Sequence, residues 1–175
     1  MDSRARRWLW AGYLFTLVAG TLLHFTYDLS GGALVAAPFS GVNESVWEHL
    51  KLVFWPPTIF LVAEYPQFGR ERPNYWVARG AGLAVSVVAI PAIFYGYSLP
   101  LGHSFLPVDI ATFVLAASLG ALTSRALLAR PPLGAWPQAA GIAIIAAGVV
   151  CFTAFTFSPP HAGIFRDGPT GTYGR

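Results

Sequence analysis

Four long stretches of the sequence are almost wholly apolar, at residues 8–27, 77–97, 109–128 and 136–157. A helix needs about 20 mostly apolar residues to cross the hydrocarbon core of a bilayer. In lipid the backbone groups of a spanning segment must be satisfied within the segment, which a helix achieves. The four stretches therefore predict membrane-spanning helices, the first of them a retained anchor and not a cleaved signal peptide.

The composition supports a membrane protein and excludes several other classes. Hydrophobic residues make up 55% of the 175 residues and charged residues 11%, against roughly 25% charged in a soluble domain. The formal net charge is +3, but the arginines flank apolar stretches and form no basic stripe, so nucleic-acid binding is excluded. Cys151 is the single cysteine, which excludes an intrachain disulfide and a cysteine metal cluster.

A fifth segment, residues 43–65, is apolar in its second half but ionisable in its first half. Charged side chains facing lipid are costly, so we expect this segment to lie inside the bundle or to protrude with its first turns. The predicted fold is an all-α polytopic membrane helix bundle of about five transmembrane helices. Residues 1–157 form the transmembrane domain, and residues 158–175 form a carboxyl-terminal tail.

The arginines predict the orientation of this bundle. Loops after the second and fourth helices are basic, whereas segments 29–42 and 98–108 contain neither Lys nor Arg. Cytoplasmic loops of membrane proteins carry an excess of Lys and Arg. We therefore expect a multi-pass protein of the cell (plasma) membrane, with a cytoplasmic amino terminus and the carboxyl terminus outside.

On this topology all four histidines fall on the outer side, together with several carboxylates. His24 and Asp28 are four residues apart and so share a helix face, as do Glu44 and Glu48. Two carboxylates at that spacing repel each other unless a cation or a proton lies beside them. A metal ion, a proton on a carboxyl of raised pKa, or the ammonium of Lys51 would each supply this.

The first of these alternatives predicts a divalent-metal site. Mixed carboxylate and imidazole ligands suit zinc, manganese or iron. The candidate metal ligands are His24, Asp28, Glu44, Glu48, His49 and His161. Glu48 and Glu44 are also the candidate catalytic residues, because a carboxylate beside a metal-bound water can act as a base.

A wholly structural account of the same residues is also open. Asn43 would cap the helix, Glu48 and Lys51 would form a buried ion pair, and His24 and Asp28 would touch interfacial water. At the opposite end of the second helix we expect Glu64 to pair with an arginine of the following loop, Arg70 or Arg72.

The tail leaves two alternatives open as well. Ile164, Phe165 and Tyr173 are apolar enough to pack, and the neighbouring Asp-Gly-Pro and Thr-Gly sequences favour turns. The tail either folds back over the outer ends of the helices as a lid or remains solvated.

Three motifs resemble an uncharacterised family of small prokaryotic multi-pass membrane proteins that carry a domain of unknown function. They are HFTYDLSGG at residues 24–32, NESVWEHLKLVFWP at 43–56 and FRDGPTGTYG at 165–174. In that family an Asp-Pro pair commonly follows the Phe, whereas Gly168 here separates Asp167 from Pro169. The resemblance implies that the polar residues of the first two motifs and the tail belong to one signature, but it implies no activity.

Three functions are compatible with these features. The first is a metal-dependent hydrolase that acts on a lipid or another small amphiphile. The second is a non-catalytic membrane subunit or assembly factor with a structural polar cluster, and the third is a proton- or cation-linked transporter. Small residues on helices four and five would allow close packing within the chain or between copies in a homo-oligomer, namely Ala116, Ala117, Gly120, Ala121, Ala143, Ala146 and Ala147.

Overall fold

The computed structural model of the protein describes residues 2–174, and it is built from five long helices. Within these residues there is no strand, only an isolated bridge between Arg166 and Tyr173. The predicted all-helical class is therefore confirmed. The helices are α1 (Ser3–Leu29), α2 (Val46–Gln67), α3 (Tyr75–Leu101), α4 (Leu106–Leu128) and α5 (Ala135–Phe157), with single 3-10 turns at Gly69–Glu71 and Gly163–Phe165.

Helices α1, α3, α4 and α5 are each long and apolar enough to cross a membrane. Their outward faces carry exposed aliphatic side chains, among them Val18, Val88 and Val150. An apolar surface of this extent favours lipid over water as its surroundings. The chain is therefore a membrane protein.

Helix α2 is different, because it contains Glu48, Lys51 and Glu64 and lies at the centre of the bundle. It contacts the other four helices, and every residue from Leu50 to Pro56 is buried. The first of the two placements expected for this segment, inside the bundle, is the one observed. Its central position shields the ionisable groups from the surroundings.

Several helix ends differ from the predicted segments. Helix α1 begins at Ser3, since the side chain of Asp2 accepts a hydrogen bond from Ala5 N and caps the helix. Helix α3 continues to Leu101 and is capped by Gly102, whose φ of 75° is readily adopted by glycine. Both helices therefore extend beyond the apolar stretches.

Helix α2 begins later than expected, because Ser45 and not Asn43 is its N-cap. Ser45 accepts from Glu48 N, while the Asn43 side chain accepts from Ser45 N at 2.9 Å. Glu44 consequently lies before the helix and not in its first turn. This frees its backbone N–H and its carboxylate for contacts outside α2.

Helices α3 and α4 pack closely because a glycine of each helix lies against a serine of the other. A Cβ on Gly82 would lie 2.1 Å from Ser124 Oγ, and a Cβ on Gly120 would lie 1.9 Å from Ser86 Oγ. Each serine hydroxyl also donates to a backbone carbonyl of the facing helix, at 3.0 Å for Ser86 and 2.9 Å for Ser124. These contacts fix the register of the two helices.

The small residues of the last two helices have different environments. Ala116 and Ala117 are buried within the chain, where α4 packs on its neighbours. Ala143, Ala146 and Ala147 are exposed on α5. Only the α4 residues therefore contribute to packing inside the monomer.

A buried ion pair lies at the amino-terminal end of the bundle. Glu64 is 1% exposed; its carboxylate binds Arg79 and accepts from Tyr75 OH at 2.9 Å. The prediction that Glu64 pairs with Arg70 or Arg72 is therefore wrong. Arg72 binds Asp2 instead, and Arg70 lies against the ring of Tyr65.

At the opposite end, Lys51 holds the segment that connects α1 to α2. Its ammonium is fully buried and donates to Ala37 O at 3.0 Å, to Ser40 O at 3.2 Å and to Glu48 Oε2 at 2.6 Å. An ammonium has three donors, so all of them are satisfied. Glu48 also accepts from Val42 N at 2.9 Å, so the segment is bound to the ion pair at a third residue, after Ala37 and Ser40.

The same connecting segment is tied to α1 through Ser40. The Ser40 hydroxyl accepts from Tyr27 N and donates to Leu23 O, two groups that are usually joined in a helix. Trp55 of α2 donates to Pro38 O at 2.7 Å. The segment is therefore a structural part of the bundle.

We predict that Lys51→Met lowers the free energy of unfolding by about 3–5 kcal/mol, because Glu48 is left buried without its partner. The measurement is reversible unfolding in mixed micelles with rising SDS. A Glu48→Gln/Lys51→Met variant should recover part of the loss. Lys51 is the single lysine of the sequence, so amine labelling reports on its burial independently. Rapid labelling of the folded protein at Lys51 would contradict this assignment.

Candidate functional site

Three side chains from separate parts of the chain converge at the end of the bundle opposite the amino terminus. Glu44 Oε2 lies 3.5 Å from His49 Nε2 and 3.9 Å from His24 Nε2. One ligand atom from each residue lies within 4.8 Å of the other two. The arrangement is two imidazole nitrogens and one carboxylate oxygen around a common point.

Each of the three residues is positioned by a different element. His24 lies near the end of α1, Glu44 immediately precedes the N-cap of α2, and His49 lies in the first turns of α2. The ring centroids of His24 and His49 are 5.2 Å apart. The site therefore depends on the packing of α1 against α2.

The orientation of His49 is set by the backbone of its own helix. His49 Nδ1 lies 2.8 Å from Ser45 O. A carbonyl oxygen only accepts, so Nδ1 carries the proton, and in the neutral ring Nε2 then has the free lone pair. That lone pair is on the nitrogen that faces Glu44.

Glu44 is partly exposed, and its carboxyl favours the ionised form. The contact with His49 lowers the pKa of Glu44 below its ordinary value, and the charges of His49 and His24 act in the same direction, whereas partial burial opposes them. An ionised carboxylate is the form that binds a cation.

The backbone of Glu44 is held by the carboxyl-terminal tail. Its N–H donates to Asp167 Oδ1 at 2.8 Å, although the two residues are 123 positions apart. The neighbouring Asn43 donates through Nδ2 to Gly174 O at 2.7 Å. The tail thus binds directly to the residues that begin α2.

The tail itself is packed and hydrogen-bonded. Phe165 is buried against Trp47, with ring centroids 4.6 Å apart, and Asp167 is 4% exposed. Asp167 Oδ2 accepts from the N–H and the hydroxyl of Thr170. Burial raises the pKa of Asp167, but the hydrogen bonds from Thr170 and Glu44 lower it by more, so the net pKa lies below the ordinary value.

A cavity of about 500 Å³ adjoins the three convergent residues. Its polar lining includes His24, Glu44, His49 and Asp109, and the tail contributes Gly168 and Pro169. Most of the remaining lining is apolar, formed by Val46, Leu52, Ile90, Phe94, Leu106 and Phe113. The space therefore combines a polar corner with apolar walls.

The other sequence-predicted ligands lie apart from this cluster. Asp28 is exposed beyond the cluster, and Glu48 is buried beside Lys51. His161 stacks on Tyr173, with ring centroids 4.6 Å apart and the planes within 2° of parallel. Of the six predicted ligands, the structure brings together His24, Glu44 and His49.

Two further carboxylates of this region were not predicted as part of the site. Asp109 lines the cavity and accepts a hydrogen bond from Tyr97 OH, and Asp167 positions Glu44. Asp109 could have been found from its place in the first turn of α4, at the same end of the bundle as the histidine cluster. The link to Asp167 is between distant parts of the chain and has no local signal.

Comparison with known proteins assigns the chain to a family. The family of unknown function DUF6512 matches residues 1–175, so the chain belongs to it. This confirms the resemblance of its motifs to a family without an assigned function. No curated protein and no solved structure matches the chain.

We predict that Asp167→Ala increases tryptic cleavage after Arg166 by at least about tenfold, since a hydrogen bond to a charged group contributes about 1.5–3 kcal/mol. The rate is measured on the detergent-purified protein and divided by that of a free tail peptide carrying the same substitution. Asp28→Ala serves as control, because Asp28 is exposed away from the tail.

The wild-type tail should remain protected at neutral pH. Because the folded-state pKa of Asp167 is depressed, its contribution is fully present above the unfolded value of about 3.9 and is lost as the pH falls through the lower folded value. Equal cleavage of wild type and Asp167→Ala at pH 7 would refute the tail anchor.

Proposed function

We propose that this family member binds a divalent transition metal through His24, Glu44 and His49, at the mouth of a cavity that accepts an amphiphile. The observation that carries the proposal is the convergence of His24 Nε2, His49 Nε2 and Glu44 Oε2. A bundle builds metal sites from side chains on facing helices in this way.

The distances suit a shared ion. Ligand atoms bound at about 2.0–2.2 Å in tetrahedral geometry lie about 3.3–3.6 Å apart. The distances from Glu44 Oε2 to His49 Nε2 and His24 Nε2 are 3.5 and 3.9 Å, so small rotamer adjustments suffice.

The surroundings of His49 add support. A metal-ligating histidine usually donates its other ring N–H to a carbonyl or carboxylate, which fixes the tautomer. His49 does so to Ser45 O. Metal binding requires the neutral His49 ring, in which Nε2 has the free lone pair, so a metal ion would take the place of the proton that an ion pair between His49 and Glu44 needs.

Two histidines and one carboxylate favour zinc, with manganese and iron as the alternatives. Three protein ligands leave a coordination position open, and zinc lowers the pKa of a water bound there to about 7. Asp109, a further carboxylate lining the cavity, would serve as the proton acceptor in such a reaction.

The apolar walls of the cavity favour an amphiphilic substrate such as a lipid. Leu52, Ile90 and Phe113 would accommodate its chain, while the polar corner would hold an ester or amide group. Hydrolysis would join a water oxygen to the acyl carbon, break the bond to the leaving group and transfer the proton to that group.

The membrane arrangement completes the proposal. Helix α2 has 22 residues and a length of about 33 Å, so it also spans, inside the bundle, as the fifth transmembrane helix. With the amino terminus cytoplasmic, the metal site and the folded tail lie at the outer face of the cell membrane, where the tail covers part of the cavity.

A structural role is the second candidate, because the 3.5 Å contact also suits an ion pair between protonated His49 and Glu44. In a non-catalytic subunit, this pair would join the start of α2 to α1 through His24. The two candidates differ in whether metal is bound.

We predict roughly one transition-metal ion per chain in tag-free, detergent-purified protein, measured by elemental analysis. Glu44→Gln and His49→Ala should each lower metal affinity by at least about tenfold, because each removes a ligand. The absence of metal after purification and after addition of zinc, manganese and iron would refute the metal site and favour the ion pair.

Matched variants separate the candidate ligands. His103→Ala and His161→Ala remove histidines outside the cluster and should leave the metal content unchanged. Glu48→Gln should lower stability without lowering metal content, because Glu48 binds Lys51. Loss of metal in Glu48→Gln with the fold intact would shift the site toward α2 and contradict the ligand set proposed here.

For the topology, we predict that a cysteine at Ser104 reacts with a membrane-impermeant thiol reagent in intact cells, whereas a cysteine at Ala129 does not. Both positions are exposed, at opposite ends of the bundle. The background is Cys151→Ala, which removes the native thiol. The reverse labelling pattern would invert the proposed orientation.

A further inference from the structure

A second cavity opens between α1 and α4 at the amino-terminal end of the bundle. Its volume is about 340 Å³. It lies on the side of two helices that are long and apolar enough to cross a membrane, away from the metal-site candidate. This groove is lined by Arg6, Leu9, Trp10, Tyr13, Ser118, Ala121, Leu122 and Arg125.

The two arginines of the groove are exposed and unpaired among the described residues, since no hydrogen bond or ion pair involves either side chain. Some of the other arginines at this end have acidic partners: Arg4 binds Glu71, and Arg79 binds Glu64. Arg6 and Arg125 therefore leave two positive charges at one groove, with no counter-charge from residues 2–174 bound to either.

The arginines lie at the same level of the bundle. Tyr13 OH and Ser118 Oγ are 2.9 Å apart and join α1 to α4 farther into the bundle. Arg6 precedes Tyr13 by seven residues and Arg125 follows Ser118 by seven, which places each about 10 Å along its helix from that hydrogen bond. Because the helices are antiparallel, both arginines are at the same mouth of the groove.

The rest of the groove is suited to hydrocarbon. Leu9, Ala121 and Leu122 line it between the arginines and the Tyr13–Ser118 hydrogen bond. Trp10 is 58% exposed on the same face, and tryptophan is enriched where hydrocarbon meets headgroups. The groove is therefore positive at the membrane surface and apolar toward the membrane interior.

We propose that this groove binds an anionic phospholipid, with its phosphate between Arg6 and Arg125 and an acyl chain along Leu9 and Leu122. Basic pockets between transmembrane helices bind anionic headgroups in this manner. The charge complementarity and the apolar floor together favour a phospholipid over a soluble anion, which would use only the arginines.

The test is native mass spectrometry of the full chain released from micelles that contain phosphatidylglycerol or phosphatidylcholine. We expect phosphatidylglycerol to remain bound and phosphatidylcholine to be lost. Arg6→Gln/Arg125→Gln should weaken phosphatidylglycerol binding roughly 30-fold, because the variant removes two cations that contact the headgroup. Neither side chain has a partner within the part of the chain that the structure describes, so the variant should fold normally.

The matched control is Arg7→Gln/Arg130→Gln, which removes the same charge from exposed positions outside the groove. It should bind phosphatidylglycerol like wild type. An equal loss in both double variants would show non-specific attraction, and equal retention of the two lipids would exclude headgroup recognition. Competition by millimolar inorganic phosphate would show a simple anion site. Each of these results would overturn the proposal.

Discussion

The half of the molecule opposite the amino terminus depends on the interactions of the buried Lys51 ammonium. It binds Glu48 and two carbonyls of the segment between α1 and α2, so that segment is drawn into the bundle. A buried charge is tolerated only when it is paired and hydrogen-bonded, and here one residue meets that requirement and fixes the loop as well. Ser40, held in this way, joins the segment to α1.

The metal-site candidate is a consequence of the same arrangement. His24 and His49 face each other because α1 and α2 are joined at this end, and Glu44 lies between them because the helix begins one residue after Ser45. Glu48 and Glu44, although four residues apart, have different environments. Glu48 neutralises a lysine inside the bundle, whereas Glu44 faces the cavity beside two imidazoles.

Much of the fold follows from the sequence because a bilayer imposes simple requirements: long apolar stretches, helical backbone and polar ends. Those requirements indicated all five helices and placed the histidines at one end. They could not distinguish His24, which meets Glu44, from Asp28, which lies on the same helix face but one turn farther out and is exposed. That difference depends on where α1 leaves the bundle. The contribution of Asp167 depends on a tail contact that no local pattern encodes.

The contacts of the tail also determine when the site can form. Asn43 and Glu44 bind residues that lie 131 and 123 positions later in the chain. During synthesis α1 and α2 emerge long before the tail, so the start of α2 lacks these partners until the residues around Asp167 and Gly174 have been made. The polar corner of the cavity is thus completed only after all five helices have been made, and a chain truncated before Asp167 would contain these helices but lack the contact that holds Glu44.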